Sequence, residues 1–130
     1  MTQPMNILLV DDDELILEAV TWLLESLGHQ VTVAASGPEG LDLLRGGLPV
    51  DLLILDQNMP GLSGLETLAQ VRAFRPELPA FVATGYRDDQ LTALVEANPR
   101  TLVIHKPFRA PDFEQALAKL ESLGDGPAPR

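Results

Sequence analysis

The sequence contains no cysteine, which excludes disulfides, thiolate zinc sites and thiol nucleophiles and fits a reducing compartment. Basic residues are scarce: nine Lys and Arg stand against nineteen Asp and Glu, a formal net charge of −10 at pH 7. That balance argues against the phosphate backbone of nucleic acid as a direct partner and favours cations or proteins with basic surfaces. Aromatic residues make up only 5% of the chain, and no platform for stacking bases is discernible. Long apolar runs are absent too; the longest are about five residues, whereas a bilayer-spanning helix needs about 20. The opening Met1 to Asn6 lacks the basic and apolar regions of a signal peptide. These absences lead to the expectation of a soluble, cytoplasmic protein with no membrane partner. With 130 residues, 45% of them hydrophobic, the chain is long enough for one domain with a real core.

What is present alternates. Ile7 to Val10 reads as a buried strand, and Leu15, Ile16, Ala19, Val20, Leu23, Leu24 and Leu27 follow at helical spacing until Gly28. Val31 to Ala34 is a second strand. Ser36-Gly37-Pro38-Glu39 has the form of a capping box with a proline tolerated in the first turn, and Leu41, Leu43 and Leu44 carry the helix to Gly46-Gly47. Leu52 to Leu55 is an unbroken apolar run that suits a strand covered on both faces. Leu65, Leu68, Val71 and Phe74 carry a third helix that stops before Pro76 and Pro79. Ala80 to Ala83 is a fourth strand. Asp88 caps a helix bearing Leu91, Leu94 and Val95 that ends at Asn98-Pro99. Leu102 to Ile104 is a fifth strand, Lys106-Pro107 a turn, and Pro111 to Leu123 a last amphipathic helix. Five strand-helix pairs predict an α/β fold with a doubly wound parallel sheet. Residues 1–123 form the expected domain, and 124–130, rich in Gly, Pro and Ala, a flexible tail.

Asp56 stands where the third strand ends, and Pro60, Gly61 and Gly64 break regular structure behind it, so its carboxylate is expected on an exposed turn. Right-handed crossovers gather the loops after all five strands at one sheet edge, where open parallel sheets bind ligands. That edge receives Asp11, Asp12 and Asp13, then Asp56, Thr84 and Lys106. Carboxylates about 4 to 6 Å apart repel by several kcal/mol unless a cation or proton sits among them. Hard oxygen ligands with room for water suit Mg2+. Zinc is disfavoured, because His29 and His105 have no ligand spacing to each other or to the acids; both read as structural or solvent-facing. With a lysine ammonium and a threonine hydroxyl added, the site suits a phosphoryl group, and Asp56 the role of nucleophile that becomes an aspartyl phosphate. Asp13 has a plainer role open to it, as a cap on the first helix. Trp22 reads as core or as a partly exposed anchor.

Val10-Asp11-Asp12-Asp13, Leu55-Asp56-Gln57-Asn58-Met59-Pro60-Gly61, Ala83-Thr84-Gly85 and His105-Lys106-Pro107-Phe108, in this order, resemble the response-regulator receiver domain of two-component signalling, over roughly Asn6 to Leu123. The resemblance implies a flavodoxin-like (βα)5 fold with strand order 2-1-3-4-5. It implies Asp56 as phosphoacceptor, Asp11 and Asp12 organising Mg2+ with Asp56 and the main-chain carbonyl of Asn58, Thr84 as switch hydroxyl and Lys106 as phosphate-binding cation. It also implies a cis Lys106-Pro107 bond. The partners would be a histidine kinase or histidine phosphotransfer protein and a downstream protein target, and the protein would be a switch, not an enzyme. Two departures stand out: Val103 occupies the position of a frequent inward-rotating aromatic, and Tyr86 follows Gly85 at the rim. The rival readings are a phosphohydrolase of the haloacid dehalogenase type, with Asp11 and Asp13 as its acid pair, and a pseudo-receiver acting only as a protein-binding module. The chain carries no effector segment after Leu123, which leaves a stand-alone regulator and a piece of a larger protein equally open, as it does the oligomeric state.

Overall fold

The structure, a computed structural model, describes residues 3–124. Ten elements alternate strictly: β1 (Asn6–Val10), α1 (Glu14–Ser26), β2 (Gln30–Ala34), α2 (Gly37–Arg45), β3 (Leu52–Asp56), α3 (Gly64–Phe74), β4 (Ala80–Thr84), α4 (Asp89–Glu96), β5 (Thr101–His105) and α5 (Ala110–Gly124). The strands form one parallel sheet in the order β2-β1-β3-β4-β5, as the resemblance implied. The Lys106-Pro107 bond is cis. Each strand starts or ends one residue beyond its apolar run, since the flanking main chain stays in register with its neighbour. Gly124 is the last residue of α5, and the rest of the expected tail, residues 125–130, lies outside the described residues.

Side chains alternate across the strands and both faces are covered, so the sheet divides two cores. Ile7, Leu9, Leu52, Ile54, Phe81 and Ile104 pack with Leu17 and Leu24 of α1 and Phe113, Leu117 and Leu120 of α5. Leu8, Val10, Leu53, Leu55, Ala80 and Val82 pack with Leu41 and Leu44 of α2, Leu68 and Val71 of α3 and Val95 of α4. Every residue of β3 and β4 is buried, which is why those strands read as continuous apolar runs.

Helix starts follow local chemistry, with two differences from expectation. Asp13 and Asp88 cap α1 and α4 through their carboxylates. The Ser36 hydroxyl accepts from Glu39 N–H, but the Glu39 carboxylate reaches past the cap to Ala35 N–H at 2.8 Å. A reciprocal capping box occurs instead at Ser63 and Glu66. The cap φ differs, −158° at Ser36 and −71° at Ser63. Leu15 and Leu94 lie on helical apolar stripes yet are 75% and 59% exposed, and Trp22 is 73% exposed. Trp22 is therefore no core residue: the interior behind α1 is already filled by Leu17 and Leu24.

Two long-range clamps were not legible in the sequence. The Arg72 guanidinium donates to Arg75 O, Leu78 O, Pro99 O and the Thr101 hydroxyl, tying the end of α3 to the loops that enter β4 and β5. His29 is buried; its Nδ1 accepts from Met5 N–H at 3.1 Å, and its ring stands edge-on to Phe113 at 5.8 Å. His105 is exposed, as expected. Burial lowers the proton affinity of His29, with Glu114 opposing.

The unfolded chain therefore binds a proton at His29 more tightly than the native protein does. Stability from this residue is complete above the ordinary histidine value of 6.5 and is lost as pH falls through the depressed native value. Thermal unfolding of wild type and His29→Gln should converge in pH dependence at neutral pH. From about pH 7.5 to about 5.5 the wild type should lose stability relative to the variant; parallel curves would refute the assignment.

Candidate functional site

β1, β3 and β5 deliver their C-terminal loops to one edge, and their acids and lysine meet there. Asp11 and Asp56 are 3% and 4% exposed, whereas Asp12 is exposed. One carboxylate oxygen from each of the three lies within 4.8 Å of the others. Asp56 is thus not on an exposed turn: it is the last residue of β3, held in the sheet by its Ala83 register, and the turn begins after it. The Lys106 ammonium, carried at the end of β5, donates to Asp56 Oδ1 at 2.8 Å and Asp11 Oδ2 at 3.3 Å. Asp11 Oδ1 accepts from Asp13 N–H at 2.9 Å, and Asp13 itself turns to Leu15 and Ile16 N–H. Asp13 is a helix cap, which removes it as the second acid of a phosphohydrolase pair.

The backbone behind Asp56 is close-packed. Gly64 N–H donates to Gln57 O, the Gln57 side chain accepts from Leu65 N–H, and a Cβ at Gly64 would stand 2.6 Å from the Asp56 carbonyl oxygen. Any side chain at position 64 would push on the strand end that carries the carboxylate.

A cavity of 420 Å3 opens over the acids, lined by Asp11, Asp12, Ile16, Asp56, Asn58, Gly85, Tyr86 and Lys106 among others. Thr84 reaches the same sheet edge but does not line this cavity. The side chain is buried, and its hydroxyl accepts from Tyr86 N–H at 3.2 Å and donates to Tyr86 O at 3.5 Å. Tyr86 is 71% exposed at the rim. A second, apolar groove of 510 Å3 lies alongside, lined by α1 residues including Ile16, Ala19 and Trp22 and by Pro107 and Phe108, and shares Ile16 and Lys106 with the acid cavity. Its only sign in the sequence is Trp22, read as core or as a partly exposed anchor.

Burial raises the proton affinity of Asp56; Lys106 opposes that effect, and Asp11 and Asp12 add to it. Burial by itself would weaken proton binding at Lys106, but its two carboxylate partners outweigh that and hold the ammonium above its ordinary range. Burial is the larger cause at Asp56, and the two carboxylate partners decide the direction at Lys106. Hard oxygens with a carboxylate left under-compensated are the donor set of a divalent oxygen-seeking metal, so the residues fit Mg2+.

A family model described as response regulator receiver domain matches residues 7–118. The chain is 40% identical over 84 residues to the transcriptional regulatory protein AfsQ1 of Streptomyces coelicolor, covering 65% of this chain and 36% of that one. It is 36% identical over 122 residues to the response regulator MprA of a Mycobacterium species, covering 92% of this chain and 50% of that one. The chain thus spans half or less of the curated relatives it matches. The crystal structure of a response regulator receiver domain protein from Clostridium thermocellum superposes with a TM-score of 0.80 at 29% identity, covering 90% of this chain and 94% of that chain.

A carboxylate whose native proton affinity is raised opposes folding once ionised, so this penalty is absent below the ordinary value of 3.8 and grows as pH rises through the elevated one. In metal-free buffer at neutral pH, Asp56→Asn should melt above wild type, with the gap closing on acidification. A variant that melts lower at neutral pH would show the acid cluster to be relaxed.

Proposed function

Because the chain belongs to the response regulator receiver domain family, whose members are signalling domains of two-component systems, we propose that it is switched by transfer of a phosphoryl group to Asp56 from a histidine kinase or histidine phosphotransfer protein. The observation that carries this reading is the Lys106 ammonium bridging Asp56 and Asp11 inside a three-carboxylate cluster.

Asp56 Oδ1 is occupied by Lys106, which leaves Oδ2 as the attacking atom. Its lone pair forms the new O–P bond as the donor's P–N bond breaks, and the imidazole departs with that electron pair and takes up a proton from solvent. Lys106 then turns from the carboxylate to the phosphoryl oxygens, keeping its positive charge beside the developing negative charge. Asp11, Asp12, Asp56 and the main-chain carbonyl of Asn58 would hold Mg2+, which when bound supplies further positive charge against the transferring group.

Thr84 ties this chemistry to shape. To bond the phosphoryl group its hydroxyl must release Tyr86 N–H and C=O, and the loop between β4 and α4 must re-form. The change passes to the face built by α4, β5 and α5, without an aromatic at Val103 to report it, and a downstream protein target reads it. The donor docks on α1 and the β5–α5 loop, where the apolar groove shares Ile16 and Lys106 with the acid cavity. We assign no direct nucleic-acid contact to this domain, given its net charge of −10; the transcriptional role in the name of AfsQ1 belongs to a protein of which only 36% is covered. Among the described residues no helix is long and apolar enough to cross a membrane, and the proposed setting is the cytoplasm. The Tyr86 ring at the rim shields the acyl phosphate from water, so hydrolysis is slow.

Intact-mass measurement after treatment with acetyl phosphate and Mg2+ should find one phosphoryl group on wild type and none on Asp56→Asn. Labelling of the variant, or peptide mapping of the label to Asp11, would sink the assignment. Phosphorylated Tyr86→Ala should lose its label several-fold faster than wild type; an unchanged or slower rate would leave the ring with no shielding role.

A further inference from the structure

The two edges of the sheet are not equivalent. On β5, the outward N–H of Val103 faces the Glu96 carboxylate of α4 at 3.5 Å. β2 has no such cover among the described hydrogen bonds. Gln30 N–H donates to Met5 O, and Ala34 O accepts from Asp11 N–H, so these residues face β1. Main-chain direction alternates along a strand, which leaves the N–H and C=O of Val31 and Val33 on the open side. Edge strands are ordinarily protected by Lys, Pro, a bulge or a covering segment. β2 reads Gln-Val-Thr-Val-Ala, and its pairing with β1 runs unbroken from Asn6↔Gln30 to Val10↔Ala34.

Beside this edge lies a groove of 460 Å3 between α1 and β2, lined by Glu18, Thr21, Trp22, Glu25, Val31 and Val33 among others. Val33 is 41% exposed and Trp22, the only tryptophan in the chain, 73% exposed. The Thr21 hydroxyl is buried there without a hydrogen-bond partner. α1 carries Glu14, Glu18 and Glu25 and no basic residue, so the groove is apolar at its floor and acidic at its wall.

We propose that β2 and α1 form a docking site for an extended segment of a partner protein, added to the sheet as a sixth strand, whose groove-facing side chains, every second residue, run basic, apolar, basic. Its main chain pairs with Val31 and Val33. The groove-facing apolar side chain lies on Trp22 and Val33, and the groove-facing basic side chains on either side of it meet Glu18 and Glu25. Strand addition derives affinity from the main chain and selectivity from alternate side chains, and this edge presents both. A second copy of the chain is disfavoured as occupant, because it too carries a charge of −10. The site lies apart from the acid cavity and does not depend on the phosphoryl-transfer reading.

The probe is a synthetic peptide whose alternate residues read lysine, valine, lysine with threonines between them, with Trp22 emission as the readout. The expected result is a saturable blue shift that weakens as salt is raised. A peptide of the same composition with its lysines and valine on opposite faces of the strand should not reproduce it. N-methylating every second amide of the alternating peptide should abolish binding for one parity and spare it for the other, a test that needs no change in the protein. Val33→Pro, verified as folded by circular dichroism, should bind at least about tenfold more weakly while accepting phosphoryl at Asp56 as wild type does. The proposal is overturned by the lack of a saturable shift, by equal binding of the rearranged peptide, or by insensitivity to N-methylation parity. Sedimentation showing a dimer that Val33→Pro dissociates would overturn it as well, since a second copy would then own the edge.

Discussion

One ammonium group shared by two buried carboxylates is the interaction around which this fold is arranged. Lys106 lies 50 residues from Asp56 and 95 from Asp11 in the chain, and only the parallel sheet makes them neighbours. The cluster remains short of positive charge, because a single lysine faces Asp11 and Asp56 with Asp12 close by. That deficit distinguishes the cluster from a satisfied ion pair: the protein holds a carboxylate in a place where it gains by acquiring a cation or by changing its charge distribution.

The sheet supplies the rigidity this requires. β3, buried from Leu52 to Asp56, cannot shift without disturbing both cores, and Gly64 lets the start of α3 rest directly against the Asp56 carbonyl. At the opposite edge of the sheet, Arg72 fastens the entrances to β4 and β5. Between these fixed parts the β4–α4 loop is held by less: the hydroxyl of Thr84 satisfies the main chain of Tyr86 at 3.2 and 3.5 Å, and weakly held loops are where a two-state response can reside.

α1 shows how one helix serves several ends without conflict. Its cap, Asp13, also steadies Asp11 through a main-chain bond. Leu17 and Leu24 fill the core, and Ile16 touches both the acid cavity and the apolar groove. Leu15 and Trp22 are left in solvent, two turns apart on one side, an arrangement the core does not need and a contact surface does.

The alternation of apolar runs with helical stripes was enough to determine five βα units and their approximate limits, because backbone hydrogen bonding and burial act locally. It was also enough to bring Asp11, Asp12, Asp56 and Lys106 to one sheet edge, since parallel strands with right-handed crossovers leave their loops no other place. Tertiary structure alone decided the rest. Whether Leu15, Leu94 and Trp22 face inward depends on how much core remains unfilled, which no helical stripe reveals. Whether the Thr84 hydroxyl faces the acids or its own loop depends on competing partners within about 3 Å, and the burial of Asp56 on the register β3 adopts with β4. The grips of Arg72 and His29 join segments 24 to 29 residues apart, beyond the reach of any local pattern. Periodicity encodes direction and order; the exposure and orientation of a side chain are set by neighbours that only folding supplies.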